Sequence, residues 1–365
     1  MYNIKIITDS GCDIPAKAKL KNVDIIGFYI TTEDGKSYEE RYDISNKQYY
    51  KILENCTNIP KTAHITMMRY GQLIEELVCD GATDIIIVTI NKGASATHDA
   101  AVMAKSMYMD DNPDSNVKIE VIDSNTYSIA YGWPIMQADK MITEGHTPKQ
   151  IISYLKSEFS RTQILLSAYS LKFMKKSGRI SAAAAFAGEL MGLKPIIVMD
   201  HGDTAVVQKV RGDKLVIPAL IRQFKERTND PKHYIIGYTD EEYGKELYSA
   251  CEKELGVPPM RAVELGSAVA TNAGNHSIGR FLKRMFLKRY VSIPADSVAA
   301  VPKIISRLPR IFAPVASPIR FVRKQPTVIP HTFCMPNTGS RVRASLTLAC
   351  TAPKEIGAIT KPITV

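Results

Sequence analysis

The 365-residue chain has one tryptophan, no C-x-x-C pair among its six cysteines, and no apolar run near the roughly 18 residues that a membrane span needs. The missing pairs exclude a zinc ribbon and a thioredoxin-type dithiol. Thiols as dispersed as Cys12, Cys56, Cys79, Cys251, Cys334 and Cys350 are expected to be reduced, as in a cytosol. There is no P-loop and no G-x-G-x-x-G, so no nucleotide or other cofactor site is written here, and no G-x-S-x-G elbow announces a serine hydrolase. The N-terminus reads as a strand entering a polar turn rather than as a signal peptide, and the expectation is a cytoplasmic protein without a membrane span. Acidic residues are nearly missing from the end of the chain. Residues 280–365 carry 15 Lys plus Arg against 2 Asp plus Glu, with 10 of the 20 prolines, whereas residues 1–279 carry 32 against 35. The net charge of +10 therefore belongs to the tail. That tail reads as a basic extension, a disordered appendage or a stretch read out of frame; no aromatic interleaving or nucleic-acid motif accompanies the charge, so nucleic acid is not an expected partner.

What is present is ordinary globular material, 45% hydrophobic and 23% charged, with length enough for two domains. Ile4 and Ile6 lead into Thr8-Asp9-Ser10-Gly11, and the apolar run 23–30 reads as a second strand. Ser45-Asn46-Lys47-Gln48 has capping-box spacing ahead of a helix with Tyr49, Ile52 and Leu53, and Leu73, Leu77 and Val78 mark another. The β-branched run 84–90 is a buried strand, 100–109 a helix and 117–122 a strand, and a long helix runs from Asn125 to near Gly145. This alternation predicts βαβ units and a parallel sheet. Thr147-Pro148-Lys149-Gln150 is a second capping box, opening a helix that leads to a boundary near residue 158. Beyond it come a strand (163–167), a small-residue helix (180–190) and a hairpin turning at His201-Gly202-Asp203. A helix (214–229), a strand (233–238), a helix (241–255) and a strand (261–265) follow.

Four polar loops follow strands or lie between elements, where open α/β sheets place ligands: Thr8-Asp9-Ser10, Ile59-Pro60-Lys61-Thr62, Asn91 through Thr97, and Asp123-Ser124-Asn125. Each of them also has the composition of a helix cap. A fifth loop, Lys175-Lys176-Ser177-Gly178-Arg179, would suit an anion. Ser95 lies close in sequence to His98 and Asp99, and Cys12 sits after a strand; these are the available nucleophiles, and both have structural readings as a loop cap and a packing thiol.

In this order the elements resemble the DegV family of bacterial fatty-acid-binding proteins over residues 1 to about 289. The matching features are Thr8-Asp9-Ser10 with Asp13, Pro60 through Thr66, Ala94-Ser95-Ala96-Thr97, Val121-Ile122-Asp123-Ser124, Leu171 through Ile180, Gly192-Leu193-Lys194-Pro195-Ile196, Lys209-Val210-Arg211-Gly212, and Leu265 through Gly279. The resemblance implies an α/β, two-domain DegV-like (EDD-type) fold: a parallel-sheet N-terminal domain (1–157), a smaller α/β second domain (158–289), and an irregular basic tail (290–365). It also implies a non-catalytic carrier that encloses a long-chain fatty acid and presents its carboxylate to an ATP-dependent fatty acid kinase subunit. By position in the matching motifs, Thr62, Ser95, Thr97, Ser10, Asn272 and His276 are the implied ligand-binding residues, and Arg179 and Arg211 face the partner or its phosphate. No metal ligand and no catalytic residue is implied. The alternative is an enzyme that acts on a small acyl or phosphorylated substrate through Ser95 and Arg179. The chain departs from the family pattern at Thr62-Ala63-His64-Ile65-Thr66, at Ser95-Ala96-Thr97-His98-Asp99, and at Asn272-Ala273-Gly274-Asn275-His276, where many members have His-x-Gly-Pro-Gly.

Overall fold

The computed structural model describes residues 2–184, 192–228 and 230–283. In the first half β1 (Ile4–Asp9), β2 (Val23–Ile26), β6 (Asp84–Thr89) and β7 (Lys118–Asp123) form a sheet in the order β2-β1-β6-β7, parallel throughout. Successive side chains of a strand point to opposite faces, and here both faces are covered. Ile7, Ile85 and Ile87 pack against α1 (Asn46–Asn55), α2 (Met67–Cys79) and α3 (Thr97–Asp111). Ile6, Ile86 and Val88 pack against α4 (Ile129–Thr143) and α5 (Pro148–Phe159). That double burial is why β6 is apolar at nearly every position. Both capping boxes form, at Ser45 with Gln48 and at Thr147 with Gln150.

The run 23–30 is not one strand. It breaks at Gly27, where a Cβ would lie 2.5 Å from Glu39 Cγ and 2.8 Å from Glu40 O. Its second part, β3 (Tyr29–Thr31), joins β4 (Ser37–Glu39) and β5 (Lys61–Ala63) in a small antiparallel sheet of order β4-β3-β5. Helix α4 starts at Ile129 rather than near Asn125, because Asn125 (φ 51°) and Ser128 (φ 59°) hold left-handed backbone ahead of it.

The second half is a six-stranded sheet, β10-β9-β8-β13-β11-β12, in which only β11 and β12 run parallel. Its strands are β8 (Thr162–Ala168), β9 (Leu193–Asp200), β10 (Asp203–Arg211), β11 (Tyr234–Tyr238), β12 (Arg261–Glu264) and β13 (Ser277–Lys283). Helices α8 (Val216–Arg227) and α9 (Glu241–Leu255) cover one face through Leu220, Phe224 and Leu247. The other face, with Ile164, Leu166, Ile197 and Met199, looks toward the start of α4 and α6 (Lys172–Ser177). The basic loop expected at 175–179 is therefore the end of a helix, closed by Gly178 at φ +68°. Of the helix expected over 180–190, α7 (Ser181–Ala184) is described; its remainder and the tail 290–365 lie outside the described residues. The segment 265–279 supplies α10 (Ser267–Ala273) and β13. Although α10 connects two strands of the second sheet, Ala268 and Ala270 pack in the core of the first half beside Phe28 and Tyr49. Among the described residues no helix is long and apolar enough to cross a membrane.

Candidate functional site

A cavity of about 520 Å³ opens between the two sheets. That volume suits a small organic ligand, for which pockets run from about 300 to 1,000 Å³. The second half supplies apolar walls: Ile164 and Leu166 of β8, Met199 of β9, Ile278 of β13 and Val269 of α10. The first half supplies polar loops: Thr62 from β5 and the turn from Lys92 to Ala96 that leads into α3. The first half therefore contributes hydroxyls from Thr62, Ser95 and Ser128, and the second half contributes a hydrocarbon wall.

Thr62 and Ser95 both line the cavity. Ser95 sits two residues before α3, its Oγ accepting from Thr97 N–H at 3.3 Å, and the positive end of a fifteen-residue helix beside it favours a negative charge. Thr97 is buried behind Ser95: its Oγ1 lies 2.8 Å from Ser95 Oγ and accepts from Ile65 N–H, which ties the Ser95 loop to the Thr62 segment. Among the described lining residues, Lys92 and Arg179 bring two formal positive charges against one negative charge from Asp99, a balance that suits an anion. Arg179 Nη1 donates to Ser177 O at 2.7 Å, an anchor for its guanidinium at the end of α6. His64 faces the cavity as well.

The remaining expected residues divide. Asn272 lines the cavity while its Nδ2 donates to Ala268 O at 2.8 Å. Ser10 is not among the lining residues: its hydroxyl donates to Glu40 and accepts from Phe28 N–H at 2.9 Å. His276 also lies off the lining, with Nδ1 3.1 Å from Asp240 Oδ2. Arg211 is exposed at the end of β10, away from the lining. His98, the base that an enzyme reading would need for Ser95, instead places Nδ1 3.1 Å from Thr89 Oγ1. Burial pushes the Cys12 thiol up, so it stays protonated and unreactive. Among the described residues no group of three or more His, Cys, Asp and Glu is arranged to hold a metal ion.

Behind the polar end lie three buried carboxylates. Asp9 accepts from Ile90 N–H at 2.8 Å and from the Tyr131 hydroxyl, and burial raises it to about 7. Asp13 and Glu40 are also pushed upward, by burial above all. Asp9 and Asp13 belong to a motif visible in the sequence. Glu40 does not: it follows a short surface hairpin with no periodicity around it, so nothing local marks it as buried. Phe28 and Ser128 are further lining residues that carry no local signal.

A family model described as "Uncharacterised protein, DegV family" matches residues 3–284. The chain belongs to the DegV family. Over 287 residues this DegV chain is 30% identical to a DegV domain-containing protein of Caldanaerobacter subterraneus subsp. tengcongensis, covering 78% of this chain and 99% of that protein. Among solved structures it resembles a fatty acid (stearic acid)-binding protein of Eubacterium ventriosum, with a TM-score of 0.67 and 26% identity over 78% of this chain and 98% of that one. The fold is also that of the fatty acid kinase B3 protein of Streptococcus pneumoniae, solved with linoleic acid, with a TM-score of 0.65 and 19% identity over 78% and 99% of the two chains. The mixed α/β DegV architecture implied by the motifs is thus the architecture found.

Proposed function

We propose that this DegV protein binds one long-chain fatty acid, with the carboxylate toward Thr62 and Ser95 and the tail along the Ile164, Leu166 and Ile278 wall, and that it hands the carboxylate to a separate ATP-dependent acyl kinase. The observation that carries this reading is the division of a single cavity into a hydroxyl-bearing, cation-flanked end and an apolar wall. Burying a C16 chain is worth on the order of 10 kcal/mol before association costs, at about 0.8 kcal/mol per methylene. A buried carboxylate needs hydrogen bonds, which Thr62, Ser95 and the start of α3 are placed to donate. The names of the Eubacterium and pneumococcal relatives, with stearic and linoleic acid, support a long-chain fatty acid as ligand, and that of the pneumococcal one supports a kinase as partner. Arg179, at the cavity and exposed, is placed to meet phosphate charge when the partner docks; Arg211 is the second such cation, on the edge strand β10. The chain itself is non-catalytic in this reading, which agrees with His98 being turned to Thr89.

The test is titration of delipidated protein with stearic acid, followed by addition of ATP with and without an acyl kinase. Saturation at one equivalent, with acyl phosphate formed only when the kinase is added, is expected. Failure to take up the acid, or turnover by the chain alone, contradicts the proposal.

A further inference from the structure

The second half reaches the polar part of the cavity through α10, and α10 is held from the opposite half by two acids. Gly266 N–H donates to Asp13 Oδ1 and Ala268 N–H to Glu40 Oε1, each at 2.8 Å. The second oxygen of each acid takes a serine hydroxyl, Ser128 on Asp13 and Ser10 on Glu40. Ser128 and Ala268 line the cavity, and so does Phe28, whose N–H is fixed by Ser10. The pair therefore stands directly behind three pieces of cavity wall.

The two acids crowd each other. A Cβ on Gly266 would lie 2.5 Å from Asp13 Oδ1 and 2.6 Å from Glu40 Oε1. These oxygens are thus no more than about 5 Å apart, inside the range of roughly 4–6 Å over which like charges oppose each other's ionisation. The titratable groups around them are Asp9 and Cys12 after and within the first strand-to-turn segment, Arg41 beside Glu40, Tyr49 and Tyr50 of α1, and Tyr131 of α4. Helix α10 brings none. Arg41 is the cation of this group, and its Nη1 donates to Ile14 O rather than to either carboxylate. Two buried acids beside one offset cation favour a single negative charge on the pair.

We propose that Asp13 and Glu40 are positioning residues that share one proton, that the singly charged pair clamps the first turn of α10 onto the N-terminal half, and that loss of this proton frees the α10 wall of the cavity and speeds ligand release. Both acids are raised in the folded protein, so the clamp holds while the pair keeps its proton and weakens as pH rises through their native titration. The release part of the proposal rests on the fatty-acid reading; the clamp does not.

Glu40→Gln keeps the carbonyl that accepts from Ala268 N–H and removes the repelling charge, while its amide, as a donor, reverses the hydrogen bond with Ser10. Gly266→Ala drives a methyl between the acids. Amide hydrogen exchange over residues 265–273, corrected for intrinsic rates, is measured on the lipid-free full chain at stepped pH over the whole range in which it stays folded, with stearic acid release followed over the same range. Wild type is expected to lose about tenfold in protection and to release about tenfold faster at the upper end, the factor that one pH unit of linkage supplies. Glu40→Gln is expected to be flat in both, and Gly266→Ala fast at every pH. Equal pH slopes in wild type and Glu40→Gln overturn the clamp. Uptake of no stearic acid contradicts the carrier reading instead, and the exchange data still decide the clamp.

Discussion

A single hydroxyl facing a carboxylate carries more than its share of binding, because a hydrogen bond to a charged group is worth about 1.5–3 kcal/mol. Ser95→Ala is therefore expected to weaken stearic acid binding by roughly 10- to 100-fold, measured by competition with a fluorescent fatty acid; a loss under twofold would place the head group elsewhere. Asp9 makes a second prediction. Its folded value of about 7 stands above the ordinary 3.8, so its favourable contribution is complete below that ordinary value and is lost as pH rises through about 7. Asp9→Asn, whose amide can still satisfy Ile90 and Tyr131, is expected to remove a fall in unfolding free energy on the order of 3 kcal/mol between about pH 4 and pH 7. Urea unfolding at stepped pH checks this, and parallel wild-type and variant curves contradict it. At this scale the sequence exposed Ser95 and Asp13, which sit in turns after strands, and Thr62, which was expected in a loop and lies in the short strand β5. It hid Glu40 and Ser128, whose burial comes from elements far away in the chain. It also could not show that Ser10 spends its hydroxyl on Glu40.

Helices announced by capping chemistry were legible because a cap is a local event. Ser45 and Thr147 each satisfy N–H groups within three residues, with no reference to the rest of the fold. Ser45→Ala is expected to cost about 1 kcal/mol in denaturant unfolding. The split of 23–30 between two sheets was not legible, since it is imposed by the Glu39 side chain and the Glu40 carbonyl closing in on Gly27. Nor were α10 and β13: one is a seven-residue helix of small side chains, and the other sits mid-sheet between β8 and β11, two strands distant in sequence. Gly132 shows the same dependence on a distant neighbour. A Cβ there would lie 2.1 Å from Cys12 O, so α4 can pass the turn after β1 only with glycine. Gly132→Ala is expected to destabilise by about 1–3 kcal/mol through overpacking; an unchanged denaturation midpoint would mean that α4 does not pack so closely.

At the scale of the whole molecule, a parallel sheet bearing polar loops faces a mixed sheet bearing an apolar surface, and the space between them is the candidate ligand site. The βαβ order of the first half was readable because a strand buried on both faces shows a continuous apolar run, as β6 does from Ile85 to Val88. In the second half the β9–β10 hairpin was readable from its His201-Gly202-Asp203 turn, whereas the antiparallel pairing of β8 with β9 and of β13 with β8 and β11 was not, since those partners are set by chain topology rather than by local pattern. Every described residue that lines the cavity precedes residue 280, and removing 289–365 with its basic charge is expected to leave fatty acid content unchanged. The most direct test of the carrier account is organic extraction of natively purified protein, followed by mass spectrometry with the lipid quantified against protein. The account predicts close to one long-chain fatty acid per chain. A protein that is empty and stays empty after incubation with added fatty acid would contradict it.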